Sequence, residues 1–119
     1  MRIRILGASG GIGAGAHTTA LLVDDDVLID AGTGVAELPL AALAGIDHVF
    51  LTHAHLDHIA CLPMLADSVG ARRGRPIVVH ADEPTLTVLR AHIFNNAVWP
   101  DFTTIPSRAQ PFLPLEQRG

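Results

Sequence analysis

The densest group of potential metal ligands in this chain lies in one short run near its middle. Three histidines and one carboxylate fall within six residues, namely His53, His55, Asp57 and His58. They come directly after the apolar run Val49–Leu51. Imidazole and carboxylate are the usual protein ligands of zinc and similar divalent ions. The residue types therefore predict a metal site.

The spacing within the run predicts that the four side chains point to two different positions. Side chains of an extended segment alternate with period two, so His53 and His55 point the same way and can converge on one metal. Asp57 and His58 follow a change of direction and can face a second position nearby. A single metal shared by His53, His55 and His58 is an alternative that requires more strain. A solvated polar turn with incidental histidines is the remaining interpretation.

The composition is that of a globular chain without a general attraction for nucleic acid. The sequence has 119 residues, 49% of them hydrophobic, which is enough for one domain of ordinary size. Its net charge of -4 does not attract nucleic acid or anionic membrane. It has one cysteine, Cys61, and no apolar stretch long enough for a signal peptide or a membrane span. We therefore expect a soluble, cytoplasmic protein with no nucleic-acid or membrane partner.

The elements around the run mix strands and helices, which indicates the α/β class, with α+β as the alternative. Strands are predicted over residues 2–6, 18–23, 27–29, 49–51 and 76–80. Helices are predicted over 38–43, from 57 to 69, and after Asp82, whose carboxylate precedes Pro84. Pro63 either kinks the second helix or marks its start. The basic turn 71–75 is interpreted as solvated surface, and 97–119 as an irregular, proline-rich tail.

A second motif, the glycine-rich loop Gly7–Gly15, follows the first predicted strand. Such loops let backbone approach a pyrophosphate, and this one is similar to the loop of short-chain dehydrogenases. Dinucleotide binding also requires a long helix that opens at the loop. Residues 17–29 instead have the pattern of a β-hairpin. We therefore interpret the loop as shaping an entrance beside the site, with dinucleotide binding as the alternative.

Together these segments resemble the metallo-β-lactamase superfamily. Its hallmark His-x-His-x-Asp-His run is complete at 53–58, and a preceding strand ends in Asp30-Ala31-Gly32. Softer segments, at Gly7–Gly11, 28–34 and 92–102, are similar to class II cyclic-nucleotide phosphodiesterases. Cys61 departs from the glycine or serine usual in that subfamily, but it is small enough to fit.

The resemblance implies the N-terminal half of an αβ/βα sandwich, with a mixed sheet and helices on one face. The family fold is roughly twice this size. Residues 1–119 would then be a single, incomplete domain, with the family's remaining metal ligands beyond Gly119. The uncovered face of the sheet would favour self-association. His80 and His92 are expected on a strand and a helix, not as ligands.

The resemblance also implies a reaction. Two Zn²⁺ ions, with Mn²⁺ or Fe as alternatives, would be held by His53 and His55 and by Asp57 and His58. A metal-bridged hydroxide would open a 3′,5′-cyclic nucleotide to the nucleoside 5′-monophosphate. Asp57 would also orient the nucleophile as a catalytic residue, and Asp30 would support the metal loop. The alternatives are another hydrolase of the superfamily, acting on a thioester, lactone or RNA, and a non-catalytic half-domain that binds metal weakly.

Overall fold

Antiparallel and parallel strands meet in one six-stranded sheet. The computed structural model describes residues 1–119, and its strands are β1 (Ile3–Gly7), β2 (Ala20–Val23), β3 (Val27–Ile29), β4 (His48–Phe50), β5 (Val78–Ala81) and β6 (Leu115–Gln117). They lie side by side in chain order. The first three pair antiparallel, and β3 to β6 are parallel. The mixed sheet and the α/β class predicted from the sequence are confirmed.

Short helices follow the strands. They are α1 (Leu40–Leu43), α2 (Leu56–Ile59), α3 (Leu62–Val69) and α4 (Glu83–Val88), with 3-10 turns at Thr33–Glu37 and Gly70–Arg72 and a π-helical turn at Leu89–Ile93. Pro63 lies in the first turn of α3, where its missing N–H breaks no helical hydrogen bond. It therefore marks the start of a separate helix and does not kink a longer one. None of these helices combines the length and the apolar character that crossing a membrane requires.

One face of the sheet is buried beneath the helices. Alternate strand residues such as Leu22, Leu28 and Val49 join apolar residues of α3 and α4 in a core of 22 buried side chains. Removing a Val or Leu side chain from water contributes about 1.5–3 kcal/mol. This burial holds the helices on that face of the sheet.

The opposite face of the sheet, called the open face here, carries two apolar rows. The strand registers align Ile3, Val23, Val27, His48 and Val78 in one row, and Ile5, Leu21, Ile29, Phe50 and His80 in the other. At the β1 edge, Ile3 is 56% exposed and Ile5 is 70% exposed. Both faces of this sheet are therefore largely apolar, although helices cover only one.

The segment predicted to be an irregular tail contributes a strand and two core residues. Leu115–Gln117 pairs in parallel with β5, and the Arg118 N–H donates to the Ala81 carbonyl at 2.8 Å. Phe102 and Leu113 are buried. A three-residue strand is fixed by its backbone pairing and is too short to show a period in the sequence. The structure therefore corrects that prediction for residues 97–119.

The basic turn is only partly the solvated surface that was predicted. The Arg73 side chain is 4% exposed and donates to the Ala44 carbonyl at 2.6 Å and to Asp47 at 2.8 Å. The hydrogen bonds from Arg75 and Arg73 lower the pKa of Asp47. The turn thus ties the α3–β5 connection to the residues before β4.

Candidate metal centre

Parallel pairing of β3 and β4 brings the predicted ligands to one edge of the sheet. Because both strands run the same way, Asp30 and Thr52 emerge side by side beyond their carboxyl ends. This edge is where open α/β sheets place their ligand sites. His55 is the N-cap of α2, and the first turn of that helix carries Asp57 and His58. The histidine run is thus a short loop that leads into a helix.

Three of the four predicted ligands are grouped closely enough to hold one ion. The ligand atoms of His53, Asp57 and His58 all lie within 4.8 Å of one another. Ligands about 2.0–2.2 Å from a zinc ion lie at most about 4.4 Å apart, so small rotations bring the three into coordination. Two imidazoles and a carboxylate are also the donor set of many catalytic zinc sites. The residues present therefore fit a divalent metal.

His55 lies beside this group but not in it. Its ring meets that of His53 edge-on, with the ring centroids 4.6 Å apart. The extended segment ends at His55 because α2 begins at the next residue. The side-chain alternation on which the sequence prediction paired His53 with His55 therefore ends at His55. The structure brings together His53, Asp57 and His58, a set that the spacing did not single out.

A buried carboxylate behind the group fixes the ring of His58. The Asp30 residue is 2% exposed, and its Oδ2 atom lies 2.8 Å from His58 Nδ1. An ionised carboxylate only accepts hydrogen bonds, so Nδ1 carries the proton and Nε2 is left free. That Nε2 atom lies 3.5 Å from Asp57 Oδ2. This contact orients the His58 ring, which is consistent with the supporting role that the family resemblance implied for Asp30.

Thr52 extends the influence of the same carboxylate to His53. The Thr52 N–H and Oγ1–H both donate to Asp30, each at 2.8 Å. With its proton committed to Asp30, the hydroxyl oxygen accepts from His53 Nδ1 at 3.0 Å. His53 Nε2 is then the nitrogen available to a metal. Sequence reasoning missed Thr52, and its position directly before the first histidine was the available signal.

The backbone around Asp30 is shaped to hold this arrangement. Asp30 has φ 59°, in the left-handed region, which Asp adopts more readily than most residues. Next to it, the Ala31 N–H donates to the His58 carbonyl at 2.7 Å, and the Ala31 carbonyl accepts from the Cys61 N–H at 2.8 Å. A Cβ at Gly32 would lie 2.3 Å from the Asp57 carbonyl oxygen, so only glycine fits. The Asp-x-Gly signature is thus explained by close packing against the metal loop.

A cavity of about 460 Å³, called the Asp57 cavity here, lies beside the group. It is lined by Gly10, Ile12, Thr18, Thr33, Leu56, Asp57 and Ala60. The glycine loop therefore borders the site, which supports its interpretation as an entrance. No helix opens at the loop. Isolated bridges join Ser9 to Thr18 and Gly13 to Ala16, and β2 follows.

The other downstream histidines lie away from the group. His80 is buried in β5, where its Nε2 meets His48 Nδ1 at 2.9 Å and its Nδ1 accepts from Arg118 Nε at 3.0 Å. Burial lowers the pKa of His80, helped by the Arg118 and His48 charges. His92 lies exposed on the π-helical turn. Burial raises the pKa of the Cys61 thiol, which keeps it protonated at neutral pH.

The fold is that of the metallo-β-lactamase class. A family model described as "Beta-lactamase superfamily domain" matches residues 25–111, and the chain belongs to that family. The metallo-β-lactamase fold protein YhfI from Bacillus subtilis superposes with a TM-score of 0.59 at 24% identity, over 74% of this chain and 40% of that one. Unliganded yeast PDE1 superposes with a TM-score of 0.76 at 21% identity, over 98% of this chain and 50% of that one.

Curated relatives divide between two activities. The 3′,5′-cyclic-nucleotide phosphodiesterase 1 of Saccharomyces cerevisiae is 35% identical over 54% of this chain, which spans 18% of the yeast protein. Ribonuclease Z of Bradyrhizobium diazoefficiens is 34% identical over 73% of this chain, which spans 32% of that protein. Ribonuclease Z of Haloarcula marismortui is 31% identical over 86% of this chain and 35% of its own length. The chain thus spans about a fifth to a third of these relatives.

Proposed function

We propose that this chain acts in the metal-dependent hydrolysis of a 3′,5′-cyclic nucleotide to the nucleoside 5′-monophosphate. The observation that carries the proposal is the group of His53, Asp57 and His58, backed by Asp30. Relatives from Saccharomyces cerevisiae and Yersinia pestis are described as cyclic-nucleotide phosphodiesterases, the second as probable. A zinc site, with manganese or iron as alternatives, suits the donor set.

The proposed ligands are His53, His55, Asp57 and His58. Their side chains would hold a divalent metal, which when bound would supply Lewis-acid stabilisation of the phosphate and make water nucleophilic at neutral pH. His53 and His58 each bind through Nε2, because hydrogen bonds already occupy their Nδ1 atoms. His55 joins by turning its ring, which already contacts that of His53.

The reaction adds water across the bond between phosphorus and O3′. The phosphate stays on the 5′ carbon, and the proton taken from water ends on the 3′ hydroxyl. Asp57 lines the cavity beside the metal ligands, and its carboxylate can accept a hydrogen bond from the attacking water and hold its proton. Asp57 is therefore the proposed catalytic residue.

The test is hydrolysis of cyclic AMP by the full chain with Zn²⁺ or Mn²⁺ added. Chromatography separates 5′-AMP from 3′-AMP, and we expect only the 5′ product. The double variant His53→Ala/His58→Ala should lose it, whereas His92→Ala, an exposed histidine outside the group, should retain it. Cyclic AMP left intact both by the metal-loaded chain and by the metal-loaded full-length gene product would contradict the proposal. Less than one tightly bound metal per chain by elemental analysis would favour the non-catalytic alternative.

RNA is the second candidate substrate, and the ribonuclease Z relatives favour it. They match up to 86% of this chain, more than the 54% matched by the yeast phosphodiesterase. The bond cleaved is again a phosphodiester, so the same residues would serve. A net charge of -4 gives no general attraction for RNA. Cleavage of a structured RNA, under conditions that leave cyclic AMP intact, would favour this candidate.

A further inference from the structure

An apolar groove of about 260 Å³ runs along α2 and the start of α3. Seven of its eight lining residues are hydrophobic. Three of them are largely exposed, with Leu56 at 69%, Met64 at 58% and Val98 at 62%. Large apolar side chains that converge on one concave surface mark a binding site more often than chance exposure. This groove is therefore a candidate binding site.

The groove adjoins the Asp57 cavity. Leu56 and Ala60, one helical turn apart, line both the groove and the Asp57 cavity. Asp57 follows Leu56 directly in α2. A molecule whose phosphate lies by Asp57 would therefore extend its next chemical group over Leu56 into the groove. In a nucleotide, that outlying group is the base.

Trp99 contributes an aromatic wall to the groove. The residue lines the groove, and its indole Nε1 is buried with no hydrogen-bond partner. Because that nitrogen is inaccessible, what Trp99 offers to the groove is apolar indole surface. Backbone bonds hold Trp99 in place, since its N–H donates to the Ile93 carbonyl at 3.1 Å and its carbonyl accepts from Asn96 at 3.0 Å.

We propose that this groove binds the nucleobase of the substrate while the phosphodiester lies in the Asp57 cavity. A base has two apolar faces, which suit Leu56, Met64, Val98 and the indole ring of Trp99. Apolar walls select for an aromatic heterocycle over a bare sugar phosphate. The inference rests on the proposed function and names the residues that give it specificity.

Trp99 also reports on the groove. Trp99 is the only tryptophan and the chain has no tyrosine, so the intrinsic fluorescence comes from Trp99. We expect 5′-AMP, titrated into the metal-loaded full chain, to change the emission with saturation. Ribose 5-phosphate and inorganic phosphate should leave it unchanged. A short single-stranded RNA serves as a second probe, and its tighter binding would assign the base site to RNA.

Neutral polar substitutions test the walls. Met64→Gln and Val98→Gln should each weaken 5′-AMP binding about 5-fold or more, because each replaces apolar surface in the groove by a hydrated amide. Their effect on hydrolysis should fall on KM more than on kcat. Leu40→Gln, an exposed leucine on α1 outside the groove, is the matched control and should bind as the parent does. Unchanged circular dichroism verifies folding.

Three results would overturn the inference. Equal fluorescence changes with 5′-AMP and ribose 5-phosphate would mean that the groove ignores the base. Unaltered binding in both groove variants would mean that the base lies elsewhere. Emission that changes with protein concentration alone, together with a dimer on gel filtration, would assign the groove to a second copy. Base binding that persists without any hydrolysis would instead overturn only the proposed function.

Discussion

At the scale of single residues, the candidate site depends most on Asp30. Its carboxylate accepts from His58 Nδ1 and from both donors of Thr52, and Thr52 in turn contacts His53. One buried group thus selects the proton position of two imidazole rings. Partners of this kind behind a ligand commonly change metal affinity or activity by about 10- to 100-fold.

We expect Asp30→Asn to weaken zinc binding by about 10- to 100-fold, because the amide can accept fewer bonds and carries no charge. Competition against a chromophoric chelator measures the affinity. Asp67→Asn is the matched control, since Asp67 is exposed on α3 outside the site. Zinc affinity equal to that of the parent chain would show that Asp30 does not position the ligands.

At the scale of elements, the close approach at Gly32 joins the strand end to the metal loop. A Cβ there would lie 2.3 Å from both the Asp57 carbonyl oxygen and Thr18 Oγ1. We expect Gly32→Ala to lower the free energy of unfolding by about 1–3 kcal/mol, as overpacked sites do. Urea denaturation measures this change.

Gly10→Ala is the control for that experiment. A Cβ at Gly10 meets nothing within 4 Å, so this variant should unfold like the parent. Equal stability of the two variants would contradict the close approach at Gly32.

His80 lies in β5 and accepts a hydrogen bond from Arg118, just after β6. We expect its protonation to make the free energy of unfolding depend on pH. Its pKa is lowered from 6.5 in the folded chain, so the folded state binds fewer protons than the unfolded state. The stabilisation is therefore complete above about pH 6.5 and is lost as the pH falls through the lowered pKa. Arg118, His48 and Glu116 are the charged or titratable groups that act on this ring.

We expect the free energy of unfolding to drop more between about pH 7.5 and pH 5 in the parent chain than in His80→Gln. Denaturant titrations at the two pH values measure the difference. Because the two proteins differ only at this position, the comparison isolates His80. The same pH dependence in both would contradict the assignment.

Most elements were predictable from the sequence, but the way they meet was not. The apolar runs located five of the six strands, with ends shifted by one or two residues, as at β4. The sequence did not predict β6, because that strand depends on pairing with β5. It also did not predict the role of Thr52, which arises because β3 and β4 are parallel. The spacing of His53 and His55 suggested a shared metal, yet α2 begins too early for the alternation to continue. The groove at Trp99 joins residues more than 30 positions apart, which no local pattern shows.

At the scale of the whole molecule, the open face is a sheet surface that no helix covers. Its two apolar rows cross five strands, and Ile5 and Phe50 are among its exposed members. We expect the chain to self-associate through this face as its concentration rises, since large apolar surfaces seldom stay uncovered.

Sedimentation velocity over a concentration series measures that association. Ile5→Lys places a charge in one row and should shift the distribution towards monomer. Leu40→Lys adds the same charge to an exposed leucine on α1 and should leave association unchanged. An equal effect of both substitutions would mean that net charge, and not the open face, controls assembly.

The hydrogen bonds at Asp30 and Ala31, just beyond the end of β3, have a further consequence for metal binding. Bonds from these two residues reach Thr52, His58 and Cys61, which lie before, within and after the ligand run. Protein atoms alone make these bonds, so they hold the loop whether or not an ion is bound. Metal capture should then order little backbone, unlike capture by zinc fingers, which fold only around their ion. Amide hydrogen exchange at Ala31, Thr52 and Cys61 should accordingly be slow in chelator-treated protein and change little when zinc is added.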